Sequence, residues 1–235
     1  MATAIERFHQ LFPDTALQVN VTRHPYSFLG DSKSGGFLRS GGAATWHDGL
    51  VDYTGGTEAG ARKAEAALSH LGRAAKIDFR FDVRTDWQPV DSQRLLLWAG
   101  RQGKQELFMT ALNRRHFTQA QSASERPTLL AACQEVGLDP DAASAFLDTD
   151  ELEEEVWRSY GDTIHKYGIH AIPFFLFHHP ASGAVGGPFR DAGDADPWIV
   201  NGSMDSDHFL GIFTEIRTRA LRNTSATGNQ ACGTA

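Results

Sequence analysis

The sequence predicts an α/β protein in which an all-helical stretch interrupts a part that mixes strands with helices. Three observations lead to this prediction. Apolar and polar residues alternate over residues 17–21 and 77–82, as they do in half-buried strands. Residues 89–167 carry an almost continuous helical pattern. The residues after 167 show two short apolar runs and then an amphipathic segment, which predicts two strands and a closing helix.

The composition is typical of a globular protein without a nucleic-acid or membrane partner. Hydrophobic residues make up 41% of the chain and aromatic residues 10%, enough for a buried core. The net charge is -7, and no stretch collects Lys and Arg into a basic block, so nucleic acid is not an expected partner. No window holds the roughly 18 to 20 apolar residues of a membrane span, and no signal-peptide run is found. A soluble, cytoplasmic protein is therefore expected; the sequence predicts no oligomeric state.

The first part of the chain alternates helix, strand and loop. A helix is predicted over residues 4–12, and the alternating strand at 17–21 follows it. Residues 30–60 are rich in glycine and predict a long loop. An alanine-rich helix is predicted over residues 59–75, followed by the extended segment at 77–82.

Glycine and proline residues end helices and strands at several points in the rest of the chain and so divide it into further elements. Helices are predicted over residues 91–99, 104–117, 128–136, 141–147 and 150–167. After a strand at 172–177 and a Gly-Pro-rich excursion at 180–197, the prediction is a strand at 198–200, an Asn201-Gly202 turn and a helix at 205–221. The predicted domains are 1–88 and 168–221, which form one mixed domain, 89–167 as a helical insertion, and 222–235 as a disordered tail.

Four segments between Asp91 and Gly202, about half of the chain, resemble a known family. They are Ser92–Ala99, Leu112 with Arg115-His116-Phe117, Glu135–Asp139, and Gly168–Phe175, which spells Gly-Ile-His-Ala-Ile-Pro-Phe-Phe. Their order and spacing are similar to those of the DsbA-like thioredoxin-fold family, which includes FrnE-type oxidoreductases and 2-hydroxychromene-2-carboxylate isomerases. The last segment looks like the family's Gly-Val-x-Gly-Val-Pro-x-Phe sequence.

The resemblance implies a fold, a parent activity and two site residues. The fold would be thioredoxin-like, with an inserted all-helical domain and with its first strand missing. The parent activity would be thiol–disulfide oxidoreduction without a cofactor. A cis peptide bond would precede Pro173, and Ile172 and Pro173 would bind an extended peptide or a thiol substrate. Glutathione is the alternative ligand, by similarity to the isomerases.

The reactive dithiol of the family is absent from this sequence. Relatives carry Cys-x-x-Cys where the first strand meets the first helix, and by alignment that motif would precede Met1. Two hypotheses remain open: a shortened or mis-started redox enzyme, and a natural relative without the chemistry. The chain is expected to be redox-inactive. The alternatives are a glutathione-dependent isomerase-like enzyme, which uses a serine, and a peptide-binding protein without catalysis.

The remaining cysteines and histidines predict no further chemistry. Cys133 lies on the apolar side of a predicted helix, and Cys232 lies in the predicted tail, so no disulfide joins them. His178 and His179 are adjacent, so they would point to opposite faces of a strand and cannot easily share a metal ion. His116 is interpreted as a helix-surface residue. No metal site, hydrolase triad or nucleotide-binding loop is predicted.

Overall fold

In a computed structural model the chain divides into two compact units. One comprises Met1–Asn20 together with Lys166–Ala235, and the other comprises Val21–His165. The structure describes residues 1–15, 18–32, 44–177 and 198–230. The second unit, the helical unit, thus interrupts the first along the chain, and its end at His165 lies close to residue 167, where the predicted insertion ends.

From residue 89 onward the described elements follow the predicted order of helices and strands. The helices are α1 Ala2–Leu11, α2 Trp46–Tyr53, α3 Glu58–Ala74, α4 Val90–Arg101, α5 Gln105–Gln119, α6 Arg126–Glu135, α7 Pro140–Leu147, α8 Glu153–Gly161 and α9 Ser206–Gln230. A π-helical turn, Asp162–Lys166, continues α8. The described strands are β1 Phe174–Phe177 and β2 Trp198–Asn201, which pair antiparallel.

The interrupted unit is built around the packing of α1 on α9. Phe8 on α1 is fully buried and meets Phe213 on α9 edge to face, with ring centroids 6.4 Å apart. Phe175 on β1 packs against Phe209 on α9 with centroids 5.3 Å apart. The apolar stripes of both helices and one face of the hairpin therefore share a core.

The helical unit has a separate and larger core. Pro127 and Pro140 lie in the first turns of α6 and α7, where a missing N–H costs no helical hydrogen bond. The buried side chains of this core include Leu95, Leu96, Phe108, Leu112, Leu129, Cys133 and Phe146. They come from α4 to α7, so four short helices enclose one apolar interior.

A buried arginine fastens the α7–α8 connection to α4. Arg94 is 3% exposed, and its guanidinium donates to the carbonyl oxygens of Phe146, Thr149 and Glu151. It also donates to the Asp91 carboxylate at 2.9 Å. A buried charge is tolerated only when its donors are paired, and here the backbone supplies most of the acceptors.

The first unit junction differs from the predicted one at residue 88. Residues 21–88 are bonded into the helical unit: Ser159 Oγ donates to the carbonyl oxygen of Pro25, and Ser122 Oγ donates to that of Arg84. The amide of Arg80 donates to the carbonyl oxygen of Phe117 at 2.7 Å. A pattern of local periodicity predicts elements but not their long-range partners, so this attachment was missed.

Two local predictions in this part also require correction. The predicted strand at 17–21 forms no ladder over its described residues 18–21, although the burial alternates there, with Val19 and Val21 the less exposed positions. The predicted glycine-rich loop contains α2, and its residues 33–43 lie outside the described part. Thr45 and Asp48 form a capping box at the start of α2, a signal that the sequence carries.

The last helices also differ from their predicted bounds. The single helix predicted at 150–167 is shorter and ends in the π-helical turn. Helix α9 continues to Gln230, where the sequence predicted a disordered tail from residue 222. Extension adds one hydrogen bond for each residue fixed, and no proline stops it before Gln230. The final residues 231–235 and the excursion at 180–197 lie outside the described part.

Candidate functional site

The two predicted site residues lie at the start of β1. The Ile172–Pro173 peptide bond is cis, as expected, and both residues are exposed, Ile172 to 48%. The carbonyl oxygen of Pro173 accepts a hydrogen bond from Gly202 N at 2.8 Å. Gly202 has a φ of +99°, a conformation that favours glycine and lets the chain leave β2 at this point. The predicted Asn201-Gly202 turn thus lies opposite Pro173.

The register of the hairpin fixes which backbone groups of β1 face away from β2. Phe174 lies opposite Asn201, so Pro173 lies opposite Gly202, and their hydrogen bond marks this pair as hydrogen-bonded. Hydrogen-bonded and non-hydrogen-bonded pairs alternate along an antiparallel ladder. The N–H and C=O groups of Phe174 and Leu176 therefore point to the outer edge of β1. No described strand pairs with that edge.

Ile172 lies just before β1, on the other side of the cis bond. Its N–H and C=O make no hydrogen bond to any residue in the described part of the chain. The outward groups of Phe174 and Leu176, which recur at every second residue, could pair with an extended segment laid beside β1. Sequence reasoning identified Ile172 but missed Phe174 and Leu176, since their direction depends on the register.

Helix α9 covers one face of the hairpin and not the other. Phe175 and Phe177 turn toward α9, where their rings meet Phe209. On the opposite face lie Phe174 and Leu176, both half-buried, and Ile199, which is 52% exposed. The surface beside the outer edge of β1 is thus apolar.

The thiol of Cys133 is poorly placed for chemistry. It is fully buried in the helical unit, as the sequence predicts, and burial raises its pKa to about 11. Only the thiolate is a nucleophile, so very little reactive sulfur exists near neutral pH. Cys232 lies outside the described residues.

Two described histidines on either side of the second unit junction lie at the surface. His165 is exposed near Asp31, with Nε2 3.3 Å from Oδ1, and His170 is exposed as well. His178 and His179 lie outside the described part. Among the described residues no three His, Cys, Asp or Glu side chains are arranged to hold a metal ion.

His116 is buried, so its predicted place on the helix surface is wrong. The residue is 8% exposed, and its ring meets that of Phe117 edge to face. Ala120 takes a left-handed conformation at the end of α5, so the chain turns back and Ala123 N donates to His116 Nδ1 at 3.2 Å. Burial lowers the pKa of His116 to about 4, so the ring is neutral near pH 7.

Comparison with known proteins identifies the family. The model of the DSBA-like thioredoxin domain matches residues 2–188. The chain belongs to this family. It is a DSBA-like thioredoxin-domain protein, and thiol–disulfide oxidoreduction is the activity of the family, as the resemblance of four segments implied.

A solved structure supports the same fold for this DSBA-like chain. The crystal structure of a probable DsbA oxidoreductase from Streptomyces coelicolor is similar with a TM-score of 0.67 and 20% identity. The similarity covers 92% of this chain and 83% of that chain. No curated protein matches the sequence significantly. The predicted α/β thioredoxin-like class with a helical insertion is therefore confirmed, whereas the roles of Ile172 and Pro173 stay predictions.

No helix in the described part of this DSBA-like chain is both long enough and apolar enough to cross a bilayer. This agrees with the hydropathy of the sequence.

Proposed function

We propose that these 235 residues bind an extended polypeptide along the outer edge of β1, with Ile172 and Pro173 as the first contacts, and do not themselves exchange thiols with disulfides. The observation that carries the proposal is the pair of outward backbone groups at Phe174 and Leu176, with the unbonded backbone groups of Ile172 just before them. Strand addition of this kind draws affinity from main-chain hydrogen bonds and specificity from alternate side chains.

The side chains beside this edge favour apolar residues in the bound segment. Ile172 and Ile199 are each about half exposed, and Phe174 and Leu176 are half-buried between them along the hairpin. An alternating apolar peptide would cover this surface while its backbone pairs with β1. Burial of such side chains contributes roughly 25 cal/mol for each Å² removed from water.

The absence of redox chemistry from these residues is inferred from the cysteines. The chain holds two cysteines and no Cys-x-x-Cys pair. Thiol–disulfide exchange requires attack by a thiolate on a disulfide sulfur, and the buried Cys133, with its raised pKa, is a poor attacking group. Binding without catalysis is the function that remains for the edge of β1.

Titration calorimetry with cysteine-free extended peptides tests the proposal. Peptides that alternate apolar and polar residues are expected to bind, and Ile172→Asp is expected to abolish binding because it places a charge beside the apolar edge. Leu11→Asp is the matched control, since Leu11 is also an exposed aliphatic residue of the same unit but lies on α1. Equal loss in both variants, or no peptide binding by the unmodified chain, would contradict the proposal.

The same titration with reduced glutathione distinguishes the isomerase-like alternative. Glutathione binding without peptide binding favours that alternative, in which the tripeptide rather than a protein segment is the ligand. Binding of both, with competition between them, supports a common site at Ile172 and Pro173. The peptide proposal expects peptides to bind whether or not glutathione does.

A further inference from the structure

His47 lies at the start of α2 with both ring nitrogens against carboxylates of α3. Its Nδ1 is 2.5 Å from Glu65 Oε1, and its Nε2 is 3.2 Å from Glu58 Oε1. A neutral imidazole carries one N–H and can donate to only one of these oxygens, whereas the imidazolium donates to both. The geometry therefore fits the protonated ring.

We propose that His47 is a pH-sensitive clip, which tightens the first half of α3 on α2 when the ring is protonated and loosens it when the proton leaves. On loss of the proton, one nitrogen presents a lone pair to a carboxylate oxygen, and a hydrogen bond becomes a repulsion. The clip lies in the helical unit and does not depend on the peptide-binding proposal.

Helix α2 is the fixed partner in this contact. The amides of Trp46 and His47 donate to the carbonyl oxygens of Val83 and Phe81, at 2.8 and 2.9 Å. The Trp46 ring also packs against Phe81 and Phe117, with centroids 4.8 and 5.1 Å away. Release of His47 would leave these anchors in place.

Helix α3 packs closely at both ends. Gly72 lies so close to Phe79 that an added Cβ would come within 2.7 Å of the ring. Near the start of the helix, Ala61 is fully buried, and an added Cβ at Gly60 would come within 2.7 Å of the Thr54 Cβ, just after α2. The clip therefore adds to an existing contact between α2 and the first half of α3, and loss of the proton weakens that contact.

The charged groups near the ring are mostly carboxylates. On α3 they are Glu58 and Glu65, with Arg62 beside Glu58. On α2, the Asp48 carboxylate accepts hydrogen bonds from the Thr45 amide at 2.7 Å and from the Thr45 hydroxyl at 2.8 Å. This negative surrounding favours a positive ring.

The segment around Phe81, whose carbonyl oxygen accepts the hydrogen bond of the His47 amide, adds little net charge near the ring. Arg80 and Asp82 in that segment form a two-point ion pair with each other. The hydrogen bonds to Glu65 and then to Glu58 accordingly raise the pKa of His47. Because the folded pKa is raised, the clip is fully closed below the ordinary value of about 6.5 and opens as the pH rises through the raised value.

Hydrogen exchange of the full chain, read by mass spectrometry at about pH 6 and about pH 9, tests the clip. After correction for intrinsic exchange rates, amides of residues 58–65 are expected to exchange severalfold faster at the higher pH, because the neutral ring can donate to only one of the two carboxylates. Amides of α5 serve as an internal reference and should show no such change.

Two variants and a matched control assign the effect to His47. His47→Gln is expected to remove the pH dependence, whereas His70→Gln, at an exposed position of the same helix, should retain it. In an NMR titration, Glu65→Gln should lower the midpoint of His47, since it removes the first carboxylate partner. A pH dependence that survives in His47→Gln, or a His47 midpoint below about 6.5 in the unmodified chain, would overturn the proposal.

Discussion

The helical core and the hairpin of β1 and β2 differ in how completely they cover their own groups. In the helical unit Leu95, Phe108 and Cys133 are fully buried, and each helix satisfies most of its backbone internally. In the hairpin, Ile172 and Ile199 are about half exposed, and the outer groups of β1 have no partner strand in the described part. The comparison indicates that the closed helical core contributes most to stability, whereas the open edge is the surface at which we propose that recognition takes place.

The same substitution of phenylalanine by alanine, made once in each region, measures this difference in burial. Phe108→Ala should lower the free energy of unfolding by about 3–5 kcal/mol, because it opens a cavity among fully buried neighbours. Phe174→Ala removes the same atoms from a half-buried position and should cost about 1 kcal/mol. Urea unfolding followed by circular dichroism gives both values.

The ratio of the two costs is the informative quantity. A cost for Phe174→Ala equal to that for Phe108→Ala would mean that the outer face of β1 is covered, and the proposed peptide edge would then be occupied already. Retention of the m-value in both variants checks that the denatured state is unchanged.

The sequence predicted the helical unit better than the rest because helix signals are local. Periodicity and proline positions placed α6 and α7 within a few residues of their observed bounds. The capping box at Thr45 was present in the sequence but was hidden in a glycine-rich stretch, so α2 was missed.

The candidate site was predicted only in part, for a physical reason. The Gly168–Phe175 segment identified Ile172 and Pro173 through its family resemblance, which the family match confirms at the level of the fold. The outward groups of Phe174 and Leu176 depend on the register with β2. The burial of His116 and the two carboxylates around His47 depend on which distant segments meet, and no local pattern encodes that.

Acid should weaken the closed core through His116. Its pKa is lowered to about 4 in the folded state, against about 6.5 in the unfolded chain, so protonation favours unfolding. The contribution of the neutral ring is fully present above about pH 6.5 and is lost as the pH falls toward 4, which amounts to about 3 kcal/mol. Urea unfolding at several pH values between these limits measures the loss.

His116→Asn separates this effect from the titration of carboxylates. The Asn oxygen can accept the Ala123 amide, as His116 Nδ1 does, but the side chain carries no proton in this range. The difference in stability between pH 7 and pH 4 should be smaller in the variant by about 3 kcal/mol. If both proteins lose stability equally, His116 is accessible to protons in the folded state and the core is less closed than its packing indicates.

The smallest expected effect is on thiol chemistry, where the chain should change nothing. Reduction of insulin by dithiothreitol should proceed at the same rate with and without it, because Cys133 is buried and its raised pKa leaves about one thiolate in ten thousand at pH 7. Cys133→Ala and Cys232→Ala are the controls, and each should behave as the unmodified chain does. An acceleration lost in Cys133→Ala would mean that substrate reaches the helical core; one lost in Cys232→Ala would assign the chemistry to a residue outside the described part. Either result would contradict the proposal that these residues bind a peptide without exchanging thiols with disulfides.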